Sequence, residues 1–266
     1  MTQQVDRRYV FGDLLREWRA SQKVTQLTLA SKADISPRHL SFVENGRSAP
    51  SRAMVIRLAE HLEIPLRGRN ELLLAAGYAP EYSEQKLDGP ALSMVRMAIR
   101  KLLAGHNPYP ALVVDGKWNL IEANAGVAMM TAGAAADLLA APCNALRLSL
   151  HPRGLAPRIV NLDEWRDHVL ERVERQARTS GDSDLMGLHR ELSEYPGEGG
   201  RKHQPQSPPR AGDVIVPMRL RHEHRVLSMF STVTTFGTPR DVTVDELAIE
   251  SFYPADEATA GYLRSL

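Results

Sequence analysis

Arg38, His39, Ser41, Phe42 and Asn45 fall on the polar side of one short helical stretch, and they are side chains suited to reading the edges of nucleic-acid bases. The guanidinium of Arg38 can donate two hydrogen bonds to the O6 and N7 of a guanine in the major groove. Asn45 and Arg47, at and past the end of the stretch, suit neighbouring phosphates, and Gln26, in the first turn of the stretch before it, suits a phosphate held together with free backbone N–H groups. With Ser36, these eight are the candidate DNA-contacting residues.

Such side chains work only if two helices hold them. Residues 25–32 place Leu29 and Ala30 on a helical period, and a second helix starts at Ser36 and Pro37, an N-cap followed by a residue suited to the first helical position. Leu40 and Val43 then lie three apart on one face, Gly46 stops the helix, and only Ala33, Asp34 and Ile35 separate the two helices. This spacing predicts a helix-turn-helix whose second helix lies in the major groove. The bland alternative is a helical hairpin with solvated Arg and His; the coincidence of cap, short turn, apolar spacing and stop weighs against it.

The stretch resembles the Xre/Cro/C1 family of helix-turn-helix regulators, whose pattern is met by Gln26, Leu29, Ala30, Glu44 and Gly46. That family commonly has Gly in the turn, where this chain has Asp34; Asp tolerates a left-handed backbone better than most residues.

The flanking sequence supplies three more helices. Phe11 to Ser21 carries Leu14, Leu15 and Trp18 on one side; Ser51 caps a helix bearing Met54, Val55, Leu58, Ala59 and Leu62; a fifth ends near Ala76, before Gly77 and Pro80. Residues 1–80 are therefore expected to form an all-α domain of five helices. They hold 12 Lys+Arg against 8 Asp+Glu, about +4, whereas the remaining residues hold 21 against 24, about −3, so the basic end is the end with the helix-turn-helix. Arg52, near the cap of the fourth helix, is a further phosphate candidate or a solvated arginine.

At 266 residues the chain has room for a second domain. Its single cysteine, Cys143, excludes an internal disulfide, the amino-terminal residues lack the apolar core of a signal peptide, and no apolar run long enough for a membrane span occurs. A cytoplasmic protein without membrane contact is expected.

Residues 81–105 read as a polar linker and a connecting helix from Pro90 to about Ala104, which either joins the second domain or pairs with a partner subunit. From 106 to 266 the texture changes. Ala111–Asp115 and Trp118–Glu122 read as strands across a Gly116–Lys117 turn, and a helix from about Ala123 to Ala141 follows. Leu146–Leu150 is ambiguous; Leu162–Arg178 is a long helix with a dense Arg/Glu face outward, and Asp184–Tyr195 another. Residues 197–212 contain seven Gly or Pro and read as a mobile loop. Strands over Asp213–Leu220 and Arg225–Phe236 come next, Pro217 arguing for an edge or a bulge. Thr243–Phe252 is a short helix or strand, and Asp256–Leu266 a last helix.

This order predicts an α+β domain with one antiparallel sheet, and it resembles a PAS-like fold in which the helices between the second and third strands cover a pocket. The segments HNPYPALVVDGKWNLIEAN (106–124), LSLHPRGLAPRIVNLDEW (148–165) and FGTPRDVTVDELAIESFYPAD (236–256) resemble the MmyB-like transcription regulator ligand-binding domain. That resemblance implies a fatty-acid-like or otherwise apolar small ligand; composition and periodicity imply only an apolar interior.

Candidate ligand contacts are Trp118, Met129, Met130, Trp165, Met186, Met229 and Phe230, since flexible thioethers and aromatics suit an adaptable apolar pocket, although each equally suits ordinary core filling. His151 is a candidate for orienting a carboxylate, with Arg153 or Arg158 as counter-charge, or else a structural cap. His222 and His224 are spaced for a strand metal clip, yet no third ligand accompanies them, so no metal is expected. No G-x-S-x-G, H-E-x-x-H, P-loop or Rossmann glycine run is present, and Cys143 has no evident base, so neither catalysis nor an enzyme cofactor is expected. The expected protein is a dimeric, operator-binding transcription regulator that senses a small apolar ligand. Its rivals are a DNA-binding adaptor or antitoxin-like protein without a small ligand, and an enzyme acting on the bound molecule.

Overall fold

Three side-chain hydroxyls start three of the amino-terminal helices: Thr25 accepts from the backbone N–H of Thr28, Ser36 from that of His39, and Ser51 from that of Met54. In the computed structural model, which describes residues 7–197 and 215–266, these helices are α2 (Gln26–Lys32), α3 (Pro37–Glu44) and α4 (Arg52–His61), flanked by α1 (Arg7–Ser21) and α5 (Leu66–Ala75). Left-handed residues turn the chain between them: Lys23, Asp34, Gly46 and Glu63 have φ of 54°, 50°, 68° and 50°. Asp34 thus takes in the turn the conformation that a glycine adopts without cost. Phe11, Leu15, Trp18, Leu29, Leu40, Val43, Leu58 and Leu72 are among the side chains that close one apolar core.

The chain divides into two units, Met1–Glu84 with Gln176–Asp182 and Pro239–Asp245, and Gln85–Arg175 with Ser183–Thr238 and Glu246–Leu266. In the first, α5 begins after Pro65, which offers no side-chain cap, and the carboxylate of Asp245 accepts from the Leu66 N–H at 3.0 Å instead. Residues past α5 fold back on it: the Asn70 carboxamide accepts from the N–H groups of Glu81 and Tyr82 and donates to the Tyr82 carbonyl. The polar stretch expected to be a linker is therefore partly fixed against α5.

The second unit holds a five-stranded antiparallel sheet in the order β2-β1-β5-β4-β3, with β1 Ala111–Val114, β2 Leu120–Ala123, β3 Met218–His222, β4 Arg225–Thr235 and β5 Ala248–Pro254. Successive residues of a strand point to opposite faces. Ala111, Val113 and Ile249 accordingly meet Ile99 and Leu103 of α6 (Ser93–His106), the helix expected as a connector, which packs on the sheet. Leu112 lies opposite Glu250 in the ladder, and both turn to the other face, where α10 (Leu162–Ser180) reaches Glu250 through Arg172.

Several boundaries differ from the sequence expectation for local reasons. The hairpin turn is Asp115–Asn119, an Asx turn in which the Asp115 carboxylate accepts from the Lys117 and Asn119 N–H groups; Trp118 sits in it at φ 68° and is not a strand residue. The helix expected over 123–141 is broken into α7 (Gly126–Thr131) and α8 (Ala136–Leu139), with Gly133 at φ 80° between them. The ambiguous 146–150 segment is helix α9 (Ala145–Leu150), capped by the Asn144 carboxamide. Helix α11 is Ser183–Glu194; the stretch expected as helix or strand contains both, α12 (Val242–Asp245) and then β5; α13 is Glu257–Leu263. Pro217 immediately precedes β3, so no ladder hydrogen bond is lost. The expected loop at 197–212 lies almost wholly outside the described residues.

Candidate functional site

Glu44, the last residue of α3, is charged yet only 2% exposed. Its carboxylate accepts from Arg19 Nε at 2.9 Å and Nη2 at 3.2 Å, and from Gln26 Nε2 at 3.0 Å, so one acceptor ties α3 to both α1 and α2. A third Arg19 donor holds the Val24 carbonyl at 3.1 Å. At the same point the backbones of α1 and α3 touch, for a Cβ added to Gly12 would lie 2.1 Å from the Glu44 carbonyl oxygen.

This clamp leaves the other side of α3 outward. Arg38 is exposed and its guanidinium carbon lies 5.3 Å from the centre of the Phe42 ring, a cation–π contact that restricts the long side chain before any ligand arrives. His39, Ser41 and Phe42 are half-buried, and Asn45 and Arg47 are exposed. The Asn45 amide donates to the Ser41 carbonyl at 2.8 Å, so it closes the helix end as well as facing solvent. Ser36 commits its hydroxyl to the cap and Gln26 its amide donor to Glu44, while Arg52 is paired with Glu81.

In the second unit the sequence candidates scatter. Trp118, Met130, Trp165 and Met229 are buried, Met129 is half-buried, and Met186 is 43% exposed on α11. Phe230 follows Met229 on β4 and so points to the opposite face, where it stacks on Tyr253 at 5.5 Å; the two cannot line one pocket. His151 Nδ1 accepts from the Arg153 N–H at 3.0 Å, and Arg153 pairs with Asp137 at 2.6 Å. Arg158 gives its guanidinium to the carbonyls of Met130 and Ala132, both at 2.7 Å, and of Arg221 at 2.9 Å. The proposed counter-charges are thus already engaged. Beside them Glu191 takes Arg147 bidentately at 2.7 and 2.8 Å and the Tyr195 hydroxyl at 2.6 Å; the arginine holds the carboxylate below its usual range, and burial with Glu191 pushes the phenol up.

A polar group was missed because it sits on the helix face read as solvated. Arg172 Nη1 donates to Glu250 Oε1 at 2.8 Å, and the guanidinium carbon lies 4.3 Å from the centre of the Trp118 ring. One turn earlier His168 tilts against Trp165 at 5.5 Å. Arg166, on the same helix, is fully buried and donates to the carbonyls of Tyr195 and Pro196. The signal available in sequence was Glu250, a lone carboxylate inside an apolar strand.

Burial, then the Arg172 charge, depress the His168 imidazole below its ordinary 6.5, against the opposing pull of Glu250 and Glu171; Arg175 acts with Arg172. Folding therefore favours neutral His168, a contribution fully present above pH 6.5 and lost as pH falls from there through the folded value. The stability of the protein, followed by urea unfolding at successive pH values, is expected to decline below that point, and His168→Gln is expected to flatten the decline; an unchanged slope in the variant defeats the assignment.

Among the described residues no helix is long and apolar enough to cross a membrane, and no three His, Cys, Asp or Glu side chains are grouped to hold a metal. Residues 15–68 match the helix-turn-helix family model, and residues 95–266 that of the MmyB-like transcription regulator ligand binding domain. Over 76 residues, 28% of this chain, the sequence is 37% identical to the uncharacterized HTH-type transcriptional regulator RghRB of Bacillus subtilis (strain 168), of which the match spans 52%, about half its length. Among solved structures it is similar to the clp gene regulator ClgR from Corynebacterium glutamicum, at 24% identity, 38% of this chain, 95% of that chain and a TM-score of 0.24. It is also similar to an RNA-binding light-oxygen-voltage receptor, at 15% identity, 97% of this chain, 65% of that chain and a TM-score of 0.26. Structural likeness at that level is too slight to bear on fold or function. The match to the ligand-binding domain spans more than half of the chain, and the protein therefore belongs to the MmyB-like transcription regulators, with a helix-turn-helix domain ahead of the ligand-binding domain.

Proposed function

We propose that this protein binds operator DNA sequence-specifically through α3, as a homodimer on two half-sites about one helical turn apart, and that its carboxy-terminal domain binds a small ligand, fatty-acid-like or otherwise apolar. The observation that carries the reading is the Glu44 clamp. It fixes the inner side of α3 against α1 and α2 and leaves Arg38, Phe42 and Asn45 outward on a basic domain. Ligand occupancy regulates only to the extent that the ligand binds two arrangements of the dimer with different affinity. The ligand is bound and released unchanged, in the compartment that holds the DNA.

Operator selection from random duplexes, followed by titration of Arg38→Ala, tests the DNA half. The variant is expected to lose about 1–3 kcal/mol on the selected operator and to relax preference at one base pair. Equal weakening on all duplexes would reassign Arg38 to a phosphate, and a wild-type protein that ignores every duplex at low salt would end the proposal. Native mass spectrometry of freshly purified protein tests the ligand half, an added small mass being the expected result, and sedimentation tests the dimer.

A further inference from the structure

We propose that the ligand domain selects an acyl-chain ligand with an uncharged, hydrogen-bonding head group, such as a primary amide or an alcohol, read by Arg172, Glu250 and His168. The inference rests on the proposal that this domain binds an apolar ligand and adds the chemistry of its polar end.

His168 and Arg172 are four apart on α10 and therefore share a face. The Arg172–Glu250 pair sits where an apolar pair would be at least as stabilising, because removing two charges from water largely offsets their attraction. Yet its hydrogen-bonding capacity is only partly used. Among the described residues, Arg172 makes one hydrogen bond, from Nη1; its Nε and Nη2 donate to no protein group, and the second carboxylate oxygen of Glu250 accepts from none. Neither ring nitrogen of His168 has a protein partner there either. Donors and acceptors that face solvent side by side, at the edge of an apolar interior, suit a ligand that both donates and accepts.

The cluster also lies within reach. The Arg172 side chain is 21% exposed and that of Glu250 7%. Val233, directly opposite Glu250 in the ladder and hence on the same sheet face, is 45% exposed, so the pair stands at the border of the interior. The Trp118 ring packs on Arg172 and Trp165 lies against His168, while Leu112, opposite Glu250 in the ladder, and Phe252, two residues along β5, share the sheet face of Glu250; all four are buried.

Charge decides which head group fits. Arg172 and Glu250 cancel, and burial beside Arg172 keeps His168 neutral. A carboxylate would gain Arg172 but lie against Glu250, and an ammonium the reverse. An amide or hydroxyl meets donor and acceptor together without an unbalanced charge.

The test measures binding of decanamide, 1-decanol and decanoate to the full-length protein by calorimetry at about pH 8, where decanoate is ionised and imidazole neutral. Decanamide is expected to bind about tenfold or more tighter than decanoate. In Glu250→Gln, of nearly unchanged shape, Arg172 becomes an unopposed cation, and the ratio is expected to move toward decanoate by a similar factor. The paired variant Arg172→Met/Glu250→Leu, which leaves no lone buried charge, is expected to bind the chains and show little head-group preference; it decides the matter if Glu250→Gln does not fold. Decanoate binding as well as decanamide in the wild type, or a ratio unmoved in folded variants, overturns the head-group assignment and leaves the apolar-ligand reading standing. If none of the three binds, both are overturned.

Discussion

Replacing Glu44 by Ala is expected to destabilise the helix-turn-helix domain by about 3–5 kcal/mol, the cost of removing one member of a buried ion pair. The carboxylate is the common acceptor for Arg19 and Gln26, and without it Arg19, whose side chain is 20% exposed, keeps among the described residues only the Val24 carbonyl. Glu44→Gln retains an acceptor and should lose less, whereas the pair Arg19→Met/Glu44→Leu should recover much of the stability because no charge is stranded. Hydrogen exchange of α3 amides and operator affinity measured on the same samples check this. Exchange rates that do not change in Glu44→Ala would show that the clamp holds nothing.

A loss of similar size, about 3–5 kcal/mol, is expected in the second unit for Trp165→Ala. The indole is 4% exposed and its Nε1 donates to the buried Ser149 hydroxyl at 2.9 Å, so truncation opens a large cavity and also strands a polar atom. Trp165→Phe separates the two effects: it refills most of the volume but leaves Ser149 unmet, for about 1–3 kcal/mol. Urea unfolding followed by circular dichroism distinguishes them, and equal losses for Ala and Phe would mean that the hydrogen bond, not the ring volume, dominates.

What could be read beforehand follows the range of the forces involved. Helices α2 to α4 were legible because their caps, turn residues and apolar stripes lie within a few positions of one another, and Ser36, Pro37 and Gly46 each act on their own neighbours. The strands were legible from their β-branched runs, but Trp118 was read into one because nothing local revealed that Asp115 would fold the backbone into an Asx turn. The break at Gly133 went unread for lack of large apolar side chains to fix the helical period. The ligand candidates were chosen by residue type, which is blind to direction: Met229 and Phe230 are adjacent in sequence and on opposite faces of the sheet. Arg166, His168 and Arg172 were missed for the converse reason. A charged helix face reads as solvated until a partner such as Glu250, far away in the chain, is seen to receive it.

The position of β5 carries a consequence for how the protein is made. This strand, near the carboxy terminus, lies between β1 and β4 and pairs with both, and Leu112 meets Glu250 only when that distant segment is available. During synthesis on the ribosome, the sheet therefore cannot close until β5 has emerged, and local helix formation in the helix-turn-helix domain precedes it. A message cut short before codon 248 would yield a chain with the α2–α3 hairpin in place and a split sheet with two unsatisfied edges, a species prone to aggregation and to clearance by cellular proteases.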